Sequence, residues 1–193
     1  MAAEQGQGAR GSVNSVITPT IRTARLVLRQ LVIEDAAELF EALSDEEVMR
    51  YWSSGPRKTL EEAAAYVAEN ADSGSDRHCW AITTDGLAAL GWVVIRPYRE
   101  NCFVLGYILR RDCWRNGYLS EAVACVLDLA FDELDARRVM ADTDPDNAGS
   151  IRLLEKLGFQ QEGHLRSEWE THIGVRDSLI FGLLRDEWKA RRA

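Results

Sequence analysis

Apolar residues at positions 119, 122, 123, 126, 127, 130, 131 and 134 mark one face of a helix about four turns long, the strongest periodicity in the sequence. A stripe that wide has to be buried against another layer. The segments on either side, 102–109 and 138–143, are rich in apolar and β-branched residues and read as strands. Strand, helix and strand in succession make a parallel pair with the helix packed across it. This unit commits the chain to a mixed α/β architecture and leaves the other segments to extend the sheet.

The extension is legible on both sides. Residues 26–31 read as a strand, and Ala36, Leu39, Phe40 and Leu43 fall at helical spacing over 34–43. Thr59 followed three residues later by Glu62 is a capping-box pattern, with Leu60, Ala63, Ala64 and Val67 along one stripe behind it. Strands at 78–84, 89–96 and 102–109 are joined by Asp85-Gly86 and by Arg99-Glu100-Asn101, short polar connections of the kind that close antiparallel hairpins. Beyond the strand at 138–143, a helix over 147–157 ends at Gly158 as a left-handed cap, and 159–169 and 177–184 complete the strands. The order β α α β β β α β α β β predicts an α/β (α+β) fold whose sheet is antiparallel at first and holds one parallel pair.

At 193 residues, with 46% hydrophobic and 28% charged content, the chain suits a single domain over 21–193. Residues 1–20 are expected to be a flexible extension. The net charge of −8 argues against attachment to nucleic acid or an anionic membrane through charge. Cys79, Cys102, Cys113 and Cys125 contain no Cys-x-x-Cys pair, and the three histidines lack H-x-x-x-H or H-E-x-x-H spacing, so no metal site is expected. No secretory apolar stretch and no run of roughly 20 apolar residues is present, which leads to the expectation of a cytoplasmic monomer or homodimer with reduced thiols.

Chemistry concentrates where the strand 102–109 turns into the long helix. Arg110 and Arg111 precede the turn, Gly117 allows close backbone approach, and the first N–H groups of a helix lack partners, which together suit a pyrophosphate. A plain strand-to-helix turn uses the same residues. There is no G-x-x-x-x-G-K-[ST], which excludes a P-loop.

Leu105-Gly106-Tyr107-Ile108-Leu109, then Trp114 to Ala122, then Asp144-Pro145-Asp146-Asn147-Ala148-Gly149-Ser150 running on to Gly158-Phe159, and finally Glu162-Gly163-His164-Leu165-Arg166 form an ordered set. The set resembles the GCN5-related N-acetyltransferase family, within it the ribosomal-protein N-terminal acetyltransferase-like (RimJ/RimL) group, from about Thr23 to Trp188. The resemblance implies acetyl coenzyme A as cofactor, held in a gap where the strand ending at Leu109 splays from the strand 138–143, its pantetheine along the backbone of Ile108, Leu109 and Arg110. On the family's phosphate-binding motif fall Trp114, Arg115, Asn116, Gly117, Tyr118 and Leu119, with Ser120 next. The sequence departs from that motif at its first and last positions. The tyrosine that many members place before the Gly-Phe pair is Leu154 here, which makes Ser150 the candidate acid and Asn147, three residues before it, its companion on one helix face. Capping by Asn147 and self-bonding by Ser150 are the structural alternatives.

On the acceptor side, period-2 alternation puts Leu165, Trp169 and Thr171 on one face of a strand and His164, Arg166, Glu168, Glu170 and His172 on the other. Glu168 and Glu170 are candidates for deprotonating an amine, or belong to a solvated face. Tyr51 and Trp52 are candidates for walling the acceptor groove or for core packing. Asp177 is read as structural. The expected activity is acetyl transfer to a primary amine of a protein N-terminus, peptide or aminoacyl compound. A small-molecule acetyltransferase acting on a polyamine, an aminoglycoside or a peptide antibiotic, and a non-catalytic acyl-CoA-binding module, are the alternatives.

Overall fold

One eight-stranded sheet organises the computed structural model, which describes residues 18–71 and 77–192; the extension expected over 1–20 falls outside them up to residue 17. In chain order the strands are β1 (Ile21–Arg22), β2 (Val27–Gln30), β3 (His78–Thr83), β4 (Gly91–Arg99), β5 (Cys102–Leu109), β6 (Arg138–Thr143), β7 (Gln160–Thr171) and β8 (Gly174–Leu184). They lie in the order β1-β2-β3-β4-β5-β6-β8-β7. Every neighbouring pair is antiparallel except β5 with β6. The helices are α1 (Ala36–Ser44), α2 (Glu46–Met49), α3 (Leu60–Ala71), α4 (Tyr118–Asp132), α5 (Ala148–Leu157) and α6 (Arg185–Arg192).

The α4 stripe is buried as its spacing demands. Ala122, Val123, Val126, Leu127, Ala130 and Phe131 are all buried, and they pack with α5 and with Val93, Leu105, Val139, Phe181 and Leu183 on one face of the sheet. Thr59 caps α3 by accepting from Glu62 N–H at 3.2 Å, while the Glu62 carboxylate reaches back to Lys58 N–H at 2.7 Å. Helices α1 and α3 bury Leu39, Leu43, Ala63 and Val67 against Trp92 and Ile108 on the opposite face. Among the described residues, the buried cluster on that face does not extend over β6, β8 and β7.

Three elements escape the sequence reading: β1, α2 and α6. The first two are too short for a periodic signal, and the third carries Lys189, Arg191 and Arg192 on an eight-residue helix whose buried anchor is Trp188. Strand β7 departs from simple alternation. Two extra residues bulge between Leu165 and Trp169, where Ser167 takes φ 52°. Because the bulge adds an even number, Leu165 and Trp169 still share a face. Among the described residues no helix is long and apolar enough to cross a membrane.

Strands β4 and β5 run close together at Gly91, where a Cβ would sit 2.1 Å from the Ile108 carbonyl oxygen. Gly91→Ala must push β5 away from β4, and overpacking of this kind costs about 1–3 kcal/mol. Urea denaturation should show stability falling by that amount; an unchanged midpoint would mean the two strands have slack.

Candidate active site

Strands β5 and β6 pair over three residues only, Cys102 with Arg138, Phe103 with Val139 and Val104 with Met140, and then part. Each stays bonded to its outer neighbour, β5 to β4 as far as Leu109 and β6 to β8 as far as Thr143, so the sheet opens as a wedge. Arg110 N–H donates to Leu90 C=O at 2.8 Å. By the alternation of an antiparallel ladder, the backbones of Ile108 and Arg110 thus face β4, and those of Leu105, Tyr107 and Leu109 face the wedge. This corrects the expected trio of Ile108, Leu109 and Arg110: only the Leu109 backbone faces the gap, and its carbonyl accepts from the Trp114 indole at 2.9 Å. The Arg110 side chain is committed as well, to Asp112 at 2.7 Å and Glu41 at 3.0 Å.

At the mouth of the wedge α4 begins. Gly117 is its N-cap at φ 77°, a left-handed conformation in which glycine is unstrained, and Arg115 holds φ 63° just before it. The N–H groups of Arg115, Asn116, Gly117, Tyr118, Leu119 and Ser120 have no protein acceptor among the described residues. Glu121 is the first to bond, to Gly117 C=O at 3.1 Å. Six free donors at the positive end of a helix fit a diphosphate, and the Arg115 side chain is exposed with no partner among the described residues. Arg25, invisible to motif reasoning, lies beside the same turn, bonded to Asn116 C=O at 2.9 Å and to Glu121 at 2.6 Å.

Deeper in, a cavity of about 300 Å³ spans the splay. Asn147 and Ser150 both line it. Asn147 caps α5, its Oδ1 accepting from Ser150 N–H at 3.1 Å. The Ser150 hydroxyl does not bond back to its own helix: it meets the Tyr107 hydroxyl at 2.6 Å. Burial pushes the Tyr107 phenol up to about 12, against the bond with Ser150 and with the Asp142 charge adding to the rise. Tyr107 was missed from the sequence. The available signal was its place among Phe103, Leu105 and Leu109 on one face of β5, the single polar tip in an apolar row.

The far wall belongs to the acceptor side. Tyr51 and Trp52 line it, so both are cavity residues; Trp52 is also packed edge-on against Trp92 at 6.4 Å and donates to the Tyr66 hydroxyl. Trp169 and Thr171 enter from β7 and Asp142 from β6. Glu168 and Glu170 do not: both are exposed and outside the cavity, because strand alternation puts Trp169 and Thr171 on the cavity face and their glutamate neighbours on the other. Arg176 binds Asp144 through two bonds of 2.7 and 2.9 Å and also holds Asp146. Burial opposes the ionised Asp144, but the Arg176 guanidinium and the Asp146 N–H outweigh it and hold the carboxyl below its ordinary range. Asp177 accepts from Ser167 N–H and pairs with His164, both at 2.8 Å, which braces the bulge and fits its structural reading.

The parted strand edge can take an extended ligand and the bare helix start its phosphates, with a second cavity adjoining at the inner end. Residues 25–160 match the family model described as an acetyltransferase (GNAT) domain, and the chain belongs to that family. YoaA of Bacillus subtilis (strain 168), named an uncharacterized N-acetyltransferase, is 32% identical over 86% of this chain and 97% of its own length. A crystal structure titled as a putative acetyltransferase from T. thermophilus superposes with a TM-score of 0.80 at 28% identity, covering 91% of this chain and 94% of that one. Spermidine N(1)-acetyltransferase of Escherichia coli (strain K12) is 23% identical over 84% of this chain and 88% of its own.

The hydroxyl pair generates a test. Tyr107→Phe and Ser150→Ala should each lower kcat by roughly ten- to a hundredfold, the worth of one hydrogen bond to a charged group. Since the two act as one unit, the double variant should be no slower than the worse single one. Steady-state kinetics on all three checks this, and multiplying losses would mean two independent roles.

Proposed function

We propose that this acetyl-CoA-dependent N-acetyltransferase acts on the α-amine of a protein N-terminus, peptide or aminoacyl compound. Bound acetyl-CoA supplies an acetyl thioester whose sulfur is the leaving group. The chain's residues do the rest. Backbone N–H groups facing the wedge from Tyr107 and Leu109 are candidates to polarise the thioester carbonyl as charge develops on its oxygen. Tyr107, with its phenol near 12, stays protonated at neutral pH and acts as a donor, never as the base. Passing its proton fully to a thiolate with a pKa near 8.5 costs about 5 kcal/mol. The Tyr107–Ser150 pair therefore supports the departing sulfur by a hydrogen bond and leaves final protonation to solvent.

The observation that carries the choice of amine is the lack of an evident strong base. Of the cavity's carboxylates, Asp144 is paired with Arg176, Asp177 is bonded to His164 and the Ser167 N–H, and Asp142 is held by the Trp169 indole and the Ser178 hydroxyl; Glu168 and Glu170 stand outside the cavity. Only a neutral amine attacks. At pH 7 an α-amine, with a pKa of about 7.7–8.0, is neutral roughly one time in ten, against less than one in a thousand for a lysine near 10.4. A site this weak in bases is matched to the α-amine. The spermidine-specific name of one relative favours a polyamine as the second reading. Mass-spectrometric mapping on a peptide offering both an α-amine and a lysine should find the acetyl group on the α-amine. Predominant lysine modification, or turnover confined to spermidine, would overturn the proposal.

A further inference from the structure

Two charges in the acceptor cavity have nothing to neutralise them. Arg96 lines it from β4, exposed, with no hydrogen-bond or ion-pair partner among the described residues. Asp142 lines it from β6 and is held only by neutral donors, the Trp169 indole at 3.2 Å and the Ser178 hydroxyl at 3.4 Å. The cavity's other charged side chains are spoken for, Arg176 by Asp144 and Asp146 and Asp177 by His164. The two cannot neutralise each other, because β5 lies between their strands.

Arg96 sits opposite Val104 of β5, and Val104 pairs with Met140, two residues before Asp142 on β6. With strands about 4.8 Å apart and a rise of about 3.3 Å per residue, the two Cα atoms are roughly 12 Å or more apart. All three strands point these side chains to the face that α1 and α3 leave open. The long guanidinium stem and the short carboxylate close part of that distance and leave space for a small organic body between them. Asp142 lies one strand from Tyr107, across the wedge between β6 and β5, and Arg96 lies on β4 beyond Val104.

We propose that Arg96 and Asp142 select a small zwitterionic acceptor, an amino acid or short peptide whose amine is received by Asp142 and whose carboxylate is received by Arg96. This rests on the α-amine reading above and narrows it. Asp142 accepts an N–H of the incoming amine and takes the proton shed as the nitrogen bonds to the acetyl carbon and the carbon–sulfur bond breaks. Arg96 takes the acceptor's carboxylate through a charge-assisted hydrogen bond. A polyamine gains nothing from Arg96 and is repelled by it.

The test uses the full chain, saturating acetyl-CoA and three acceptors: a dipeptide with a free carboxylate, the same dipeptide as its carboxamide, and spermidine, with release of free thiol as the readout. The free dipeptide should exceed its carboxamide in kcat/KM by roughly ten- to a hundredfold, mostly through KM. Arg96→Gln should erase that difference, and Arg96→Glu should reverse it and raise turnover of spermidine, with calorimetric affinity for coenzyme A unchanged in both. Asp142→Asn should slow the dipeptide and its carboxamide alike. Equal rates for dipeptide and carboxamide in the parent enzyme, or a preference that survives Arg96→Glu, would overturn the proposal while leaving the α-amine reading standing. Turnover of spermidine but of neither dipeptide would overturn both.

Discussion

Everything in this structure turns on a set of hydrogen bonds that two adjacent strands do not make. Strands β5 and β6 begin as a regular parallel pair at Cys102 and Arg138 and lose contact after Val104 and Met140, although both continue as strands. The separation is enforced from outside, by the β4 ladder that carries β5 to Leu109 and the β8 ladder that carries β6 to Thr143. The wedge so formed bares the backbone of Tyr107 and the N–H of Leu109, whose carbonyl accepts from the Trp114 indole. Unmet backbone groups away from water cost about 1–3 kcal/mol each, which is recovered when an extended ligand supplies the missing edge, as an added strand would. The fold thus holds its binding site as an unfinished part of its own sheet.

The chemistry is laid out along that wedge in the order that the reaction needs. Bare amides at the start of α4 face the mouth, the Tyr107 and Ser150 hydroxyls meet where β5 approaches α5, and the cavity opens on the sheet face opposite α4 and α5, beyond the part that α1 and α3 cover. Because α4 and α5 sit on one side and the acceptor cavity on the other, the strand edges are where the two meet. Ser150 of α5 meets the Tyr107 hydroxyl of β5 at 2.6 Å, and burial keeps that phenol protonated at neutral pH.

Much of the fold was legible in the sequence because its signals are local. The α4 stripe, the Thr59–Glu62 cap, the left-handed Gly158 at φ 90° and the hairpin connections each depend on a few neighbouring residues. The candidate site was legible where local geometry decides it: Gly117 takes the left-handed N-cap with unbonded amides around it, and Asn147 and Ser150 both line the cavity. It was illegible where partners come together from distant strands. Nothing near Tyr107 announces Ser150, and nothing near Asp142 announces Trp169 across two strands. Glu168 and Glu170 fall outside the cavity for a related reason: alternation separates the two faces of a strand but takes no account of which face opens on a cavity and which on water.

Amide hydrogen exchange read by mass spectrometry, with and without acetyl-CoA, tests the wedge directly. The account predicts that acetyl-CoA slows exchange in two stretches, 105–109 on β5 and 115–120 at the start of α4, while the β4 and β8 ladders stay as they were. Protection confined to the open face over β6 and β8, or no protection of 115–120 at saturating acetyl-CoA, would contradict it.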